Sequence, residues 1–185
     1  MKPRIFIVAI ALLGASPALA QDNQTDTPEQ VSATFIDANG KQIGTATLSE
    51  TPNGVLIKAD LTGLPSGMHA FHIHEAGKCD AQDGFKSAGG HYAPRGAMHG
   101  YKHPDGPHAG DLPNQFVSEN GTLKAEVISH GTTLRDGETT LFDDDGSALV
   151  IHSGTDDYQS QPSGDAGSRI ACAPITNEQR KASRT

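Results

Sequence analysis

Apolar and polar residues alternate along short segments of this chain, and turn residues separate the segments. Such alternation puts one face of a β-strand against a core, and no stretch has the repeat of a long amphipathic helix. VSATFIDANGKQIGTATL predicts a hairpin that turns at 37–40, and TPNG and LPSG lead into the strands VLIKADLTGL and MHAFHIHE. NQFVSENGTLKAEVI predicts a hairpin around Asn120 and Gly121, and ALVIH and SRIACAPI predict late strands. The pattern predicts an all-β sandwich or barrel.

The first twenty residues, MKPRIFIVAIALLGASPALA, have the plan of a secretory signal peptide. Lys2 and Arg4 precede an apolar run from Ile5 to Leu13, and small residues lead to a predicted cleavage after Ala20. A membrane anchor is the alternative, but the apolar run is too short to cross a hydrocarbon core of about 30 Å. We therefore expect export.

The remaining chain is long enough for a single domain with a sizeable core. The predicted division is a signal peptide (1–20), a flexible N-terminal segment (21–30), one β domain (31–175) and a polar, frayed C-terminal tail (176–185). Removing Lys2 and Arg4 from the 14 basic residues leaves 12 against 22 acidic residues, a net charge of −10. Such a charge excludes a nucleic-acid-binding role and disfavours contact with anionic membranes.

The sequence has two cysteines, Cys79 and Cys172. In an exported protein, two cysteines suggest one disulfide, which here would close a long loop. Two free buried thiols are the alternative, and they would suit a protein that stays in the cytosol.

The histidine spacing in MHAFHIHE predicts a strand with a metal-binding face. Side chains on a strand alternate between faces, so His72 and His74 project together while Phe71 and Ile73 enter the core. His69 shares the core side, and we interpret it as a structural, hydrogen-bonded histidine. The histidine pair alone is a weak signal, because many metal hydrolases carry one.

The Gly-, Pro- and His-rich tract at 77–112 supplies further candidate ligands, and a loop of this length is usually functional or disordered. Its candidate ligands are His91, His99, His103, His108 and Asp111. Three imidazoles and one carboxylate would make a closed tetrahedral zinc site with no open position for a substrate. A loosely metal-sequestering tract is the alternative. Far along the chain, His152 ends the strand ALVIH and is a candidate to join His72 and His74 at a copper ion.

Together these motifs resemble the copper,zinc superoxide dismutase family in its bacterial, exported form. GMHAFHIHE, AGGHYAP, HAGDLPN, LVIH followed by two aspartates, and GDAGSRIAC stand in the family's order and spacing across 31–175. The resemblance implies a Greek-key β-barrel or sandwich with long metal-binding loops. It also implies an enzyme that disproportionates superoxide to dioxygen and hydrogen peroxide through alternate reduction and oxidation of bound copper, with zinc as a second cofactor. Its location would be the periplasm or the exterior.

The resemblance implies a role for each candidate site residue. The copper ligands would be His72, His74, His91 and His152. The zinc ligands would be His91, His99, His108 and Asp111. His91 would bridge the two metals and hold a proton during the reaction. His103 would be an ordinary loop residue, because the spacing through His99 equals the family's.

Three further assignments follow from the same resemblance. Asp156 would receive hydrogen bonds from one copper histidine and one zinc histidine, and so orient both rings. Arg169 would be the active-site arginine that attracts and orients a small anion. Cys79 and Cys172 would form the family's intrachain disulfide.

Two departures from the cytosolic eukaryotic members concern loop lengths. The segment between His152 and Arg169 is shorter and has no lysine, whereas the stretch from Cys79 to His91 is longer. Other candidate steering charges are Lys78, Lys86, Arg95 and Lys102. The family's quaternary contacts vary between its bacterial and eukaryotic branches. A homodimer is therefore one possible assembly, and the eukaryotic dimer surface is not assumed. The alternative function is an exported, noncatalytic copper- or zinc-binding protein of the same fold.

Overall fold

The computed structural model describes residues 30–183, and over this range the chain folds into eight antiparallel strands and one short α-helix. The strands are β1 (Gln30–Asp37), β2 (Gln42–Thr51), β3 (Gly54–Leu61), β4 (Gly67–His74), β5 (Asp111–Val117), β6 (Leu123–Ser129), β7 (Ser147–His152) and β8 (Arg169–Ile175), and the helix is α1 (Asn177–Ser183). Their order in the sheet is β5-β4-β7-β8-β1-β2-β3-β6. The edge strands β5 and β6 contact each other, so the sheet is nearly closed. The predicted all-β Greek-key barrel is confirmed. The described part of the chain contains no helix with the length and apolarity that a membrane crossing requires.

Alternation along strands such as β3 builds the core. In β3, the side chains of Val55, Ile57 and Leu61 are completely buried, while those of Lys58 and Asp60 are exposed on the other face. Burial of a branched aliphatic side chain stabilises the fold by about 1.5–3 kcal/mol. The alternation read from the sequence thus places the side chains whose burial stabilises the barrel.

Strand β7 departs from alternation because both of its faces are covered. Leu149 and Ile151 face the main core, whereas Ala148 and Val150 belong to a second apolar cluster. That second cluster lies beneath the loop that follows Cys79. A strand buried on both faces reads as a continuous apolar run, which is how ALVI appears in the sequence.

The predicted hairpin around Asn120 and Gly121 is wrong in its pairing. The turn itself forms, with Gly121 N donating to Ser118 O over 2.9 Å and Ser118 N donating to Thr122 O over 2.9 Å. However, β5 pairs with β4 and β6 pairs with β3, so the turn connects opposite edges of the sheet. A turn sequence predicts a chain reversal, but the partner of each strand is set by the whole barrel.

The expected fraying of the C-terminal tail is also wrong over most of its length, because α1 occupies it. Arg180 is buried, its Nη1 lies 2.6 Å from Asp136 Oδ1, and its guanidinium lies 5.1 Å from the centre of the Phe142 ring. These contacts fasten a polar helix that hydropathy alone does not reveal. The predicted signal peptide (1–20) and the flexible segment up to 29 lie outside the described residues.

Candidate metal centre

Four buried histidines converge where β4 meets β7. His72 and His74 project from the same face of β4, as their spacing predicts, and β7 pairs with β4 and ends at His152. His91 joins them through a backbone bridge to His74. One ring nitrogen from each of the four lies within 4.8 Å of the others. Neighbouring strands therefore place three of the imidazoles and a loop places the fourth.

A second cluster shares His91 with the first. Its members are His91, His99, His108 and Asp111, whose candidate ligand atoms also lie within 4.8 Å of one another. The Nδ1 atoms of His91, His99 and His108 lie 2.9, 3.1 and 3.3 Å from Asp111 Oδ1. Asp111 Oδ2 is held separately by the backbone N–H groups of Gly100 and His108, at 2.8 and 3.0 Å. Three imidazoles around one oriented carboxylate make the donor set of a tetrahedral zinc site.

Unpaired nitrogen atoms show that the first cluster also fits a metal ion. Among the described side chains, His72 Nδ1 and His91 Nε2 are buried without a hydrogen-bond partner. Burying a polar nitrogen without a partner lowers the stability of the folded protein unless another group, such as a metal ion, binds it. The inward-facing nitrogens of the other two rings, His74 Nε2 and His152 Nε2, lie 3.3 Å apart and contact each other. A cation among four imidazole nitrogens would satisfy all of these atoms, and imidazole suits copper.

The other nitrogen of each ring in the first cluster is fixed by the protein. His72 Nε2 lies 2.9 Å from Asp156 Oδ2, His74 Nδ1 lies 3.0 Å from Gly89 O, and His152 Nδ1 lies 3.4 Å from Gly167 O. A neutral ring that donates through one nitrogen presents a lone pair at the other. The acceptors around the cluster thus aim the lone pairs inward.

Asp156 connects the two clusters directly. Its Oδ2 accepts from His72 Nε2 and its Oδ1 accepts from His99 Nε2, each over 2.9 Å, and the carboxylate is fully buried. Tyr158 N donates to the same Oδ1 over 2.6 Å. One carboxylate thereby orients a ring in each cluster.

The surroundings also set the protonation of these groups. Burial, reinforced by neighbouring imidazoles, lowers the pKa of His91 to about 4 and that of His152 to about 3. These rings are neutral at pH 7, the form that binds a metal. Burial raises the pKa of Asp111, but hydrogen bonds from His108, His91 and His99 outweigh it and hold that pKa well below its usual range. Asp111 therefore remains an anion.

His99 differs from the other rings because both of its nitrogens contact carboxylates. Burial lowers its pKa, but the hydrogen bonds to Asp111 and Asp156 outweigh burial and raise that pKa to about 9. Zinc binding at this ring must therefore displace a proton, which makes zinc affinity fall as the pH is lowered.

Arg169 lies at the start of β8 with its guanidinium beside the first cluster. Its Nη1 donates to Phe85 O and its Nη2 donates to Gly89 O, each over 2.5 Å. Gly89 O is the same oxygen that lies 3.0 Å from His74 Nδ1. Burial lowers the pKa of Arg169, and the charges of Asp83 and Glu75 oppose that effect. Arginine remains charged in proteins, so a cation stands next to the histidine cluster.

Three other predictions are settled by the structure. His69 is buried, with Nδ1 2.7 Å from His152 O and Nε2 2.9 Å from Pro65 O, so its structural role is confirmed. His103 belongs to neither cluster, and its Nδ1 accepts from Asp105 N in a loop turn. The disulfide between Cys79 and Cys172 is present, with 5.7 Å between their Cα atoms.

Sequence reasoning missed two amide side chains, outside both clusters, that hydrogen-bond to the backbone of site residues. Gln161 clamps the backbone of His99, accepting from its N–H over 3.0 Å and donating to its carbonyl over 2.9 Å. Asn114 clamps the backbone of Asp156 in the same way, over 2.8 and 2.9 Å. The partners are 62 and 42 positions apart in the sequence, so no local spacing could have revealed them.

Comparison with known proteins agrees with this geometry. The family model described as copper/zinc superoxide dismutase matches residues 42–175. Superoxide dismutase (Cu-Zn) 2 of Aquifex aeolicus is 46% identical over 177 residues, which cover 95% of this chain and 99% of that protein. Superoxide dismutase (Cu-Zn) of Caulobacter vibrioides is 44% identical over 140 residues, which cover 74% of this chain and 80% of that protein.

Solved structures show the same relationship. A SOD-like protein from Bacillus subtilis superposes with a TM-score of 0.75 at 35% identity, over 78% of this chain and 97% of that chain. Cu/Zn superoxide dismutase from Brucella abortus superposes with a TM-score of 0.65 at 30% identity, over 80% of this chain and 99% of that chain. The chain belongs to the copper/zinc superoxide dismutase family.

Proposed function

We propose that the protein disproportionates superoxide to dioxygen and hydrogen peroxide. The ligands that would hold copper are His72, His74, His91 and His152. The ligands that would hold zinc are His91, His99, His108 and Asp111. The observation that carries the proposal is the position of His91, whose Nδ1 lies against Asp111 while its buried Nε2 has no partner in the described protein.

Bound copper supplies the one-electron oxidation and reduction that the reaction needs, and bound zinc supplies a redox-inert structural anchor. The two superoxide anions consume two protons in forming peroxide. His91 Nε2 is placed to hold and deliver one of these protons, because Nδ1 is fixed on the Asp111 side and the ring need not turn. The second proton comes from solvent.

Arg169 binds and orients the substrate in this proposal. Its guanidinium is fixed by two carbonyl oxygens and stands next to His74, so it offers a fixed positive charge to a small anion. The protein as a whole is acidic, with a formal net charge of −8 for the full sequence. Attraction must therefore be local, and it must weaken as salt screens it.

The function is tested by following superoxide decay with residues 21–185 loaded with copper and zinc, with zinc alone, or stripped of metal. We expect fast decay only when copper is present. No acceleration at full copper and zinc occupancy would instead support the noncatalytic metal-binding alternative. The complete set of four histidines that would bind copper, together with Arg169, favours the enzyme. A metal-storage protein would not need a positively charged side chain to bind an anionic substrate.

Replacing Arg169 by glutamate should lower kcat/KM for superoxide about tenfold or more at low ionic strength, because steering by a local charge contributes 10- to 10³-fold to association rates. Copper content should not change, since Arg169 is not among the clustered ligands. Lys58→Glu on the exposed face of β3 makes the same change in net charge and is the matched control. Equal rates for wild type and Arg169→Glu would contradict the steering role.

We also propose that the protein works in the periplasm or outside the cell, after removal of residues 1–20. The disulfide supports this location, because disulfides persist in oxidising compartments and are rare in the cytosol.

Two of the candidate steering charges have local partners. Arg95 lies 3.2 Å from Glu138, and Lys102 Nζ donates to Asp157 O. The homodimer and the exposed Lys78 and Lys86 as steering charges stay predictions.

A further inference from the structure

Phe85 combines two features that rarely occur in one residue. Its backbone is left-handed, with φ 62° and ψ 22°, and its side chain is completely buried. Bulky residues seldom adopt this conformation, because Cβ then crowds the following carbonyl oxygen. Gly84 just before it is also left-handed, with φ 66° and ψ 35°. The chain therefore makes an unusual turn in the stretch between Cys79 and His91, the stretch that is long in this sequence.

The surroundings of Phe85 hold it in this conformation. Its ring belongs to the second apolar cluster, together with Ala88, Ala148, Val150 and Cys172. Its N–H donates to Asp80 O over 2.9 Å, and its carbonyl accepts from Ala88 N over 3.2 Å. A strained residue persists only where its neighbours over-determine it, and such residues concentrate at functional sites.

The left-handed turn delivers a carbonyl to Arg169. Phe85 and Gly89 are the residues that flank a single 3-10 turn, Lys86–Ala88, and their two carbonyl oxygens accept from the two terminal nitrogens of the guanidinium. Without these two hydrogen bonds, the long arginine side chain would be free to sample several rotamers. Because the guanidinium is hydrogen-bonded to the residues at both ends of one short turn, its position relative to His74 is fixed.

We propose that Phe85 is a positioning residue for Arg169. Its buried ring anchors the 3-10 turn on β7 and β8, and the left-handed backbone points its carbonyl at the guanidinium. The inference rests on the proposed role of Arg169 in binding the substrate anion. It adds the device that keeps the cation in place, a device that side-chain spacing in the sequence does not show.

The test compares wild type with Phe85→Leu, Phe85→Val and Phe85→Ala, all loaded with copper and zinc. A smaller side chain anchors the turn less firmly, and β-branched valine also disfavours the positive φ, so we expect kcat/KM at low ionic strength to fall least for leucine and by about tenfold for valine and alanine. The affinity of the copper site for azide, a small anion titrated by its visible absorption, should likewise fall least for leucine and most for valine and alanine. Phe85→Leu should stay near wild type, and copper and zinc contents should not change. Phe85→Val carries the same expectation should Phe85→Ala fail to fold.

A double-mutant comparison separates positioning from general stability. In an Arg169→Gln background, Phe85→Ala and Phe85→Val should change azide affinity by less than about twofold, because their effect acts through the arginine. The proposal is overturned if these changes lower azide affinity equally with and without Arg169, or leave it unchanged in the wild-type background. Azide binding is measured without turnover, so it reports on Phe85 even if the wild-type protein with full metal content fails to accelerate superoxide decay.

Discussion

Replacing Asp156 by asparagine should weaken the binding of copper and of zinc, each by about 10- to 100-fold, the usual effect of removing a residue that orients metal ligands. The carboxylate accepts from His72 on one oxygen and from His99 on the other. Asparagine has the same shape but a single acceptor oxygen, and its amide would present N–H to one ring N–H. Competition with chelators of graded affinity would measure the affinity of the protein for each metal. The rate of superoxide decay should fall in proportion to the copper that the variant retains.

The neighbouring aspartate provides the control for this substitution. Asp157 accepts hydrogen bonds from Gln159 and Ser160 in its own loop and contacts neither ring. Asp157→Asn makes the same chemical change one position away, so both metals should be retained. Loss of zinc alone from Asp156→Asn would mean that His72 needs no orientation. Unchanged retention of both metals would show that the four ligands of each cluster suffice.

Local periodicity is the reason why much of this site could be predicted. The positions of His69, His72 and His74 follow from alternation along one strand, which depends only on adjacent residues. Their placement came out as expected, with His69 hydrogen-bonded and the other two facing a shared cluster. Ligands in the long loop needed more than periodicity, because no regular structure fixes His91, His99 and His108. Their assignment relied on the family's spacing, and the structure brings them together around Asp111.

Features set by distant partners could not be predicted in the same way. The sequence of the turn at Asn120 and Gly121 is compatible with a two-stranded hairpin, yet the barrel places its two strands at opposite edges. Gln161 and Asn114 are ordinary polar residues until folding brings the backbones of His99 and Asp156 beside them. The left-handed backbone of Phe85 is the least predictable feature, because a phenylalanine in a loop predicts burial and not a positive φ.

The second apolar cluster connects stability to the site. It joins β7, which ends at His152, to β8, which begins with Arg169, and to the loop that carries Phe85. Cys172 lies within this cluster and Cys79 packs against it, so the disulfide ties the loop to β8. The contacts that cover this face of the sheet therefore also hold the strand ends that carry Arg169 and His152.

Removing the disulfide by replacing both Cys79 and Cys172 with alanine should lower the free energy of unfolding by about 3–5 kcal/mol. The bridge joins residues 93 positions apart, and closing a loop of that length restricts the unfolded chain strongly in the chain-entropy model. Alanine avoids burying a new hydroxyl at position 172, where the native side chain is fully buried. Guanidinium unfolding should be measured with chelator present, since metal bound to the folded state would add its own stabilisation.

Reduction of the wild-type protein is the control for the disulfide prediction, because it opens the bridge and leaves every other atom in place. Reduced wild type and the double alanine variant should unfold at similar denaturant concentrations, both well below the oxidised protein. A loss under about 1 kcal/mol would mean that the unfolded chain is already restrained or that the bridge strains the native state. A loss of the expected size is a large part of a typical domain's stability of about 5–15 kcal/mol. The chain would then reach full stability only where disulfides persist, which makes its fold depend on the oxidising compartment that the predicted signal peptide would give it.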